Sequence, residues 1–194
     1  VDTFKKGEEF LQISIKKIKE KESFTKISKM WTGSLGGLFG MGLLKKFPDA
    51  ELTMLVPPLL TEYYAEKKRI EISKLNNVKN MSNFLSKISP KGKSIPLNGT
   101  VAASLLKRAH KAKLLVNGLR PEYLLSSFEL ATHKIHILAS KDDKLLPITQ
   151  MDKRFTESDK SEYSVVDGCG HALVRYCTNT AKKFLSNPPN PRIK

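Results

Sequence analysis

The chain of 194 residues is short of acid, with 19 Asp and Glu against 34 Lys and Arg, has no long apolar run, and has only two cysteines. Each shortage excludes something. A bilayer span needs about 20 consecutive apolar residues, and a secretory leader needs an apolar segment where this chain starts VDTFKKGEEF, so neither a membrane span nor a signal peptide is expected in these residues. Cys169 and Cys177 have no second Cys or His pair nearby at ligand spacing, so no metal is expected. A bridge between the two is conceivable, but their neighbourhood favours reduced thiols, and they say little about compartment. The shortage of acid leaves a net charge of +15, which attracts polyanions or an anionic membrane surface at low salt. The cations, however, come as short groups such as KKIKEK, EKKR, KGK and KRAHKAK, interleaved with acids and apolar residues and not set among stacked aromatics. A specific nucleic-acid site is therefore not expected, and the charge reads first as a solvated surface.

What is present, 40% hydrophobic residues, suffices for the core of one ordinary domain. Residues 3 to 20 set Phe4, Leu11, Ile15 and Ile18 on one helical face and predict an amphipathic helix. An alternating run with Ile27 and Met30 leads into glycines around Ser34, the pattern of a strand followed by a sharp turn. A helix follows through Leu38, Met41, Leu44 and Phe47, closed by Pro48 and Asp49. ELTMLVPP is a second strand, ended by Pro57 and Pro58. From Thr61 to Leu130 the composition turns helical and polar, with breaks at SPKGKSIPLNG and GLRP, and carries no motif. KIHILAS and EYSVVDG are the third and fourth strands, and a last helix runs through Ala172, Val174, Thr180 and Phe184 into a frayed, proline-rich tail over 188–194. Three units result: 1–60 with the first βαβ elements, an inserted helical region over 61–130, and a βαβα unit over 131–187. Strands separated by helical segments predict an α/β fold of about four parallel strands with helices on both faces.

In such sheets ligands sit at the carboxyl ends of the strands, and three of the four expected strands end in residues that can do chemistry. These are Ser34, the pair Asp142 and Asp143, and His171. A serine hydroxyl becomes a nucleophile when an imidazole takes its proton and a carboxylate holds that imidazole in the right tautomer. Each residue alone also fits a plainer role: Ser34 a Gly-rich turn, His171 a surface position at a strand end, and the aspartates a solvated turn. His110, His133 and His136 fall in no motif and are assigned structural or exposed positions.

Together the segments TGSLGG, ASKDDKLLP and VVDGCGHALV resemble the α/β-hydrolase superfamily, in which Gly-x-Ser-x-Gly, a Gly-x-x-Asp-x-x-x-Pro turn and a Gly-His follow in that order. Aligning Pro147 with the proline of that turn favours Asp143 over Asp142 as the acid and puts Ser140 at the glycine. Thr32 replaces the leading glycine of the serine turn, where a β-branched residue crowds the bend. The resemblance implies Ser34 as nucleophile, His171 as base, Asp143 as its orienter, the Leu35 N–H in the oxyanion hole, a lid in the region 61–130, and no cofactor. The implied reaction is hydrolysis of a small-molecule or lipid carboxylic ester or thioester. An acyltransferase working through the same acyl-serine, or a non-catalytic binding module with a basic surface, is the alternative. The superfamily builds about eight strands and takes a second oxyanion donor from an early loop. The chain, which does not begin with Met, is therefore expected to be the C-terminal portion of such a fold, with its first strand an open edge for pairing.

Overall fold

A computed structural model describes residues 27–88 and 121–186, together with Ile13 and Lys16. Along these the chain runs β1 (Lys29–Gly33), α1 (Gly36–Leu44), β2 (Glu51–Leu55), α2 (Glu62–Ser73), α3 (Val78–Ser86), α4 (Pro121–Phe128), β3 (Ile135–Ser140), α5 (Lys153–Thr156), β4 (Ser161–Val166), α6 (Leu173–Tyr176) and α7 (Thr178–Ser186). The four strands form one parallel sheet in the order β1-β2-β3-β4, each next to its predecessor in the chain. Parallel neighbours cannot be joined by a hairpin, so each connection crosses a face of the sheet, as the strand and helix alternation predicts.

Side chains on a strand alternate between faces, and β2 shows what that does in a sheet covered on both sides. Leu52 and Met54 enter one core with Ile135 and Ile137 of β3 and with Leu38, Met41 and Leu44 of α1. Leu124 and Phe128 of α4 and Phe155 of α5 complete that layer, the two phenylalanine rings meeting edge to face at 5.4 Å. On the other face Leu55 and Leu138 meet Leu173, Ala181 and Phe184 from the last two helices. Full burial of a side chain the size of Leu, Met or Phe contributes about 1.5–3 kcal/mol, so the two inner strands, buried almost throughout, anchor the sheet. The outer strands are less covered: in β1 only Met30 is buried, and β4 has no buried residue.

All four expected strands are present. The first helix ends at Leu44 rather than Phe47, and the last helix is two, broken at Cys177. The connection from β3 to β4 carries a 3₁₀ turn at Ile148–Gln150 and the four-residue α5, both too short to leave a periodic pattern. Of the helix expected over residues 3 to 20, Ile13 and Lys16 are helical and the rest lies outside the described residues, as do residues 89–120 and the tail at 188–194. Among the described residues no helix is long and apolar enough to cross a membrane.

The crowding expected at Thr32 falls on the far side of the serine turn. A Cβ on Gly40 would lie 2.8 Å from Thr32 Cγ2 and 2.9 Å from Leu52 Cδ1, and one on Gly37 would lie 3.0 Å from Pro57 Cβ. A Cβ on Gly36, the position the serine motif requires to be small, would meet Thr32 Cβ at an ordinary 3.8 Å. Gly36 and Gly40 are four residues apart on one face of α1, so the helix offers Thr32 a smooth surface. Gly40→Ala is expected to lower stability by about 1 kcal/mol, overpacking of about 1–3 kcal/mol outweighing the gain in helix propensity. Gly36→Ala, free of that clash, should be neutral to stabilising by up to about 1 kcal/mol, since only the helix-propensity gain remains. Urea denaturation of the two variants checks the contrast.

Candidate active site

Ser34 occupies the bend between β1 and α1 with φ 50°, a left-handed conformation that costs a non-glycine residue on the order of 1–3 kcal/mol. The bend is pinned on both sides. Ser34 N–H donates to Leu55 O at 2.8 Å, prolonging the β1–β2 ladder by one residue, and Gly37 N–H donates to Ser34 O at 2.9 Å, starting the helix. The chain thus turns sharply enough for Ser34 Oγ to stand off the edge of the sheet. Leu35 follows as the N-cap of α1, where the first N–H groups of a helix lack intrahelical partners and the positive end of the helix dipole lies.

The ends of the other strands are stitched the same way. Val56 N–H donates to Leu138 O at 2.7 Å, and Lys141 N–H to Val166 O at 2.8 Å. Val56 also has a positive φ, 46°, rare for a β-branched residue and invisible in the sequence VPP. A carboxyl edge fixed in this way gives side chains from different strands a common frame.

Asp143 follows β3 and is 3% exposed, with both carboxylate oxygens hydrogen-bonded. Oδ1 accepts from the N–H groups of Leu145 and Leu146 at 2.8 and 2.9 Å, which closes the turn before Pro147, and Oδ2 lies 2.8 Å from His171 Nδ1. His171 Nε2 in turn lies 2.7 Å from Ser34 Oγ. Ser34, His171 and Asp143, the three residues singled out in the sequence, therefore form one hydrogen-bonded chain, and His171 itself is 8% exposed. The segment of α2 and α3 reaches this site too: Leu145 and Leu146 pack with Tyr64, Phe84 and Ile88, and Ile88 O accepts from Ala172 N–H at 3.2 Å. His133 is exposed, and His136 stands beside Glu162 on neighbouring strands, its Nδ1 2.7 Å from Oε2; neither joins the site.

Asp142, the less favoured of the two aspartates, makes no contact with the imidazole. Its Oδ1 accepts from Ser140 Oγ at 2.6 Å and from the N–H groups of Cys169 and Gly170 at 3.1 Å each. Burial works against its charged form, but the Ser140 hydroxyl and the backbone N–H groups of Gly170, Asp142 itself and Cys169 outweigh it and hold the carboxyl below its ordinary 3.8. No motif pointed to this role; the one signal was a serine where the resembling turn has glycine.

The expectation of reduced thiols is overturned: Cys169 and Cys177 form a disulfide. The single turn of α6 folds the chain back, so that their Cα atoms, eight residues apart in sequence, come within 5.6 Å, inside the range a bridge can span. A pair separated by one short helical turn gives no sign of this in its spacing. The loop holding His171 is therefore closed covalently.

No family model matches the chain, and no curated protein matches its sequence. Solved structures do. An α/β-hydrolase from a Medee basin deep-sea metagenome library superposes with a TM-score of 0.61 at 13% identity, covering 92% of this chain and 72% of its own. An esterase from Exiguobacterium antarcticum gives 0.63 at 15%, covering 90% and 72%. A thermophilic esterase from Thermogutta terrifontis gives 0.61 at 12%, covering 87% and 66%. Against other matches, such as a serine hydrolase from Cycloclasticus zankles, the chain spans 64% of the partner's length. The four-stranded parallel sheet with helices on both faces is thus part of an α/β-hydrolase fold.

Three measurements bear on this site. Maleimide labelling without reductant should leave both cysteines unmodified and add two adducts after reduction, and replacing both by Ala should cost about 2–3 kcal/mol, as closure of a loop this short predicts. Since the folded carboxyl of Asp142 titrates below its unfolded value, its stabilisation is complete above about pH 4 and is lost as pH falls through the lower folded value. Asp142→Asn should therefore show a shallower acid-induced loss of stability than wild type in denaturation midpoints taken below about pH 4.

Proposed function

We propose that the protein is a serine hydrolase that cleaves a carboxylic ester or thioester through an acyl-serine intermediate. The observation that carries this reading is the unbroken relay from Asp143 Oδ2 through His171 to Ser34 Oγ, with both links at 2.7–2.8 Å. Ser34 Oγ attacks the acyl carbon as its proton passes to His171 Nε2. Asp143 holds the imidazole so that Nδ1 carries the proton and Nε2 is the acceptor, and its charge stabilises the imidazolium that forms. The carbonyl oxygen, negative in the tetrahedral intermediate, is met by the Leu35 N–H at the head of α1, where the helix dipole adds to the attraction. Collapse of the intermediate breaks the bond to the leaving alcohol or thiol, which takes the proton from His171. A water then attacks the acyl-serine with the same imidazole as base, releasing the acid and restoring Ser34.

The setting of the serine supports the same reading. A residue held at positive φ between a strand and a helix is strained, and strain of this kind persists where the surrounding structure over-determines it. Here the ladder bond to Leu55 and the start of α1 do so. The comparisons support it by the company the fold keeps, since the matching structures include esterases, a lipase and a serine hydrolase. Tyr64, Phe84 and Ile88 cover the acid turn with apolar surface, an environment that suits a lipid or other acyl substrate.

A fluorophosphonate probe tests the assignment. Wild-type protein should be labelled at one serine, and Ser34→Ala should abolish the label without loss of fold. Asp143→Asn and His171→Gln should slow labelling by roughly 10³–10⁴-fold, the scale on which a relay fails when one member is removed. A folded, unlabelled wild type would instead favour the binding-module reading.

A further inference from the structure

The turn after β3 carries two adjacent carboxylates, and they divide the work. Asp143 takes the imidazole of His171, while Asp142 Oδ1 takes the backbone N–H groups of Cys169 and Gly170, the two residues directly before it. Gly168 and Gly170, with φ 73° and 57°, bracket Cys169 in left-handed backbone. Successive N–H groups in such a turn converge into a small anion-binding concavity. In this chain the anion is a side chain of the neighbouring strand end. Asp142 is fixed in its turn by Ser140, fully buried at the end of β3, whose hydroxyl donates to the same Oδ1 at 2.6 Å. A glycine, which the resembling motif has at that position, could not make this bond.

We propose that Asp142 is the positioning residue of the site: it holds the backbone that carries His171 at a fixed distance from Asp143, so that Nε2 stays in reach of Ser34. The inference rests on the serine-hydrolase reading above and extends it. Its physical ground is the path of the loop. β4 and β1 are the outermost strands, three spacings of roughly 4.8 Å apart, and His171 must cross back over the ends of β3 and β2 to meet Ser34. Asp143 orients the ring, and the Ala172 N–H bond to Ile88 O and the Cys169–Cys177 bridge hold the loop beyond it, whereas Asp142 ties the backbone just before His171 to the acid turn. With Asp142 the ring and the backbone are both tied to consecutive residues of one turn, so the loop cannot slide without breaking charge-assisted hydrogen bonds. A displacement of about 1 Å at a catalytic group costs about a hundredfold in rate, which sets the scale of the effect.

The full chain, wild type and with Asp142→Ala or Asp142→Asn, is assayed on a short-chain p-nitrophenyl ester and by hydrogen exchange of individual amides. Asp142→Ala should lower kcat about tenfold to a hundredfold with KM within about twofold, since the pocket is untouched and only the base is displaced. Asp142→Asn keeps an oxygen that accepts from both N–H groups and should recover kcat to within about threefold of wild type. The amides of Cys169 and Gly170 should exchange slowly in wild type and in the Asn variant, and fast in the Ala variant. Wild-type kcat in a folded Ala variant, or an equal loss in the Asn and Ala variants, overturns the proposal. Should Asp142→Ala fail to fold, Ser140→Ala takes its place, with an expected severalfold fall in kcat at constant KM, and an unchanged kcat there overturns the proposal equally. Absence of turnover and of Ser34-dependent labelling in wild type sinks the hydrolase reading and the catalytic use of the clamp with it. The exchange rates, which need no activity, then decide separately whether the clamp exists.

Discussion

The bond between His171 Nδ1 and Asp143 Oδ2 is where the two ends of the sheet edge are joined. Ser34 belongs to the first strand and His171 to the loop after the last, and nothing in a parallel sheet by itself brings these together. What does so is a carboxylate on the third strand end, already immobilised by two N–H groups of its own turn, that receives the imidazole midway. The buried acid therefore acts less as a reservoir of charge than as a post. A buried carboxylate is tolerable only when its acceptors are filled, and here each oxygen is occupied by a group that also fixes a segment of chain.

The same edge shows how far packing serves the polar relay. Leu145 and Leu146, whose N–H groups bind Asp143, turn their side chains into a cluster with Tyr64, Phe84 and Ile88 from the helical region. The carbonyl of Ile88 holds the N–H that follows His171. The segment that looks like a cover over the sheet is thus in contact with the turn of the acid on one side and with the histidine loop on the other. Core packing and relay geometry are not separable here, because a shift of the cover moves the turn that holds the acid.

Much of this was legible in the chain. The four strands declared themselves as apolar runs stopped by glycine, by proline or by an acidic turn, and Ser34, Asp143 and His171 stood at three of the stops, where a parallel sheet gathers its chemistry. Pro147 separated Asp143 from Asp142, which composition could not have done. The rest was hidden for physical reasons. The Cys169–Cys177 bridge depends on one helical turn folding back, the clamp by Asp142 on two backbone groups that every residue possesses, and the strain at Val56 on tertiary hydrogen bonds. The glycine the motif asks for, Gly36, is sterically free, whereas Gly40, which no motif mentions, meets Thr32 and Leu52. Sequence patterns report which residues are present at a turn, and the close approaches they must avoid come from elements further along.

The hydrogen bond from Ser34 to His171 closes across 137 positions of the chain. Contacts so distant in sequence carry the largest loop-closure cost and form only after nearer ones have reduced it. During synthesis the residues of β1, α1 and β2 are made well before His171, and the core that covers β2 needs side chains from β3, α4 and α5 that follow later. Ser34 and His171 can therefore meet only once β4 has paired and its loop has closed over the edge, so the relay belongs to the finished sheet and to no shorter segment of it.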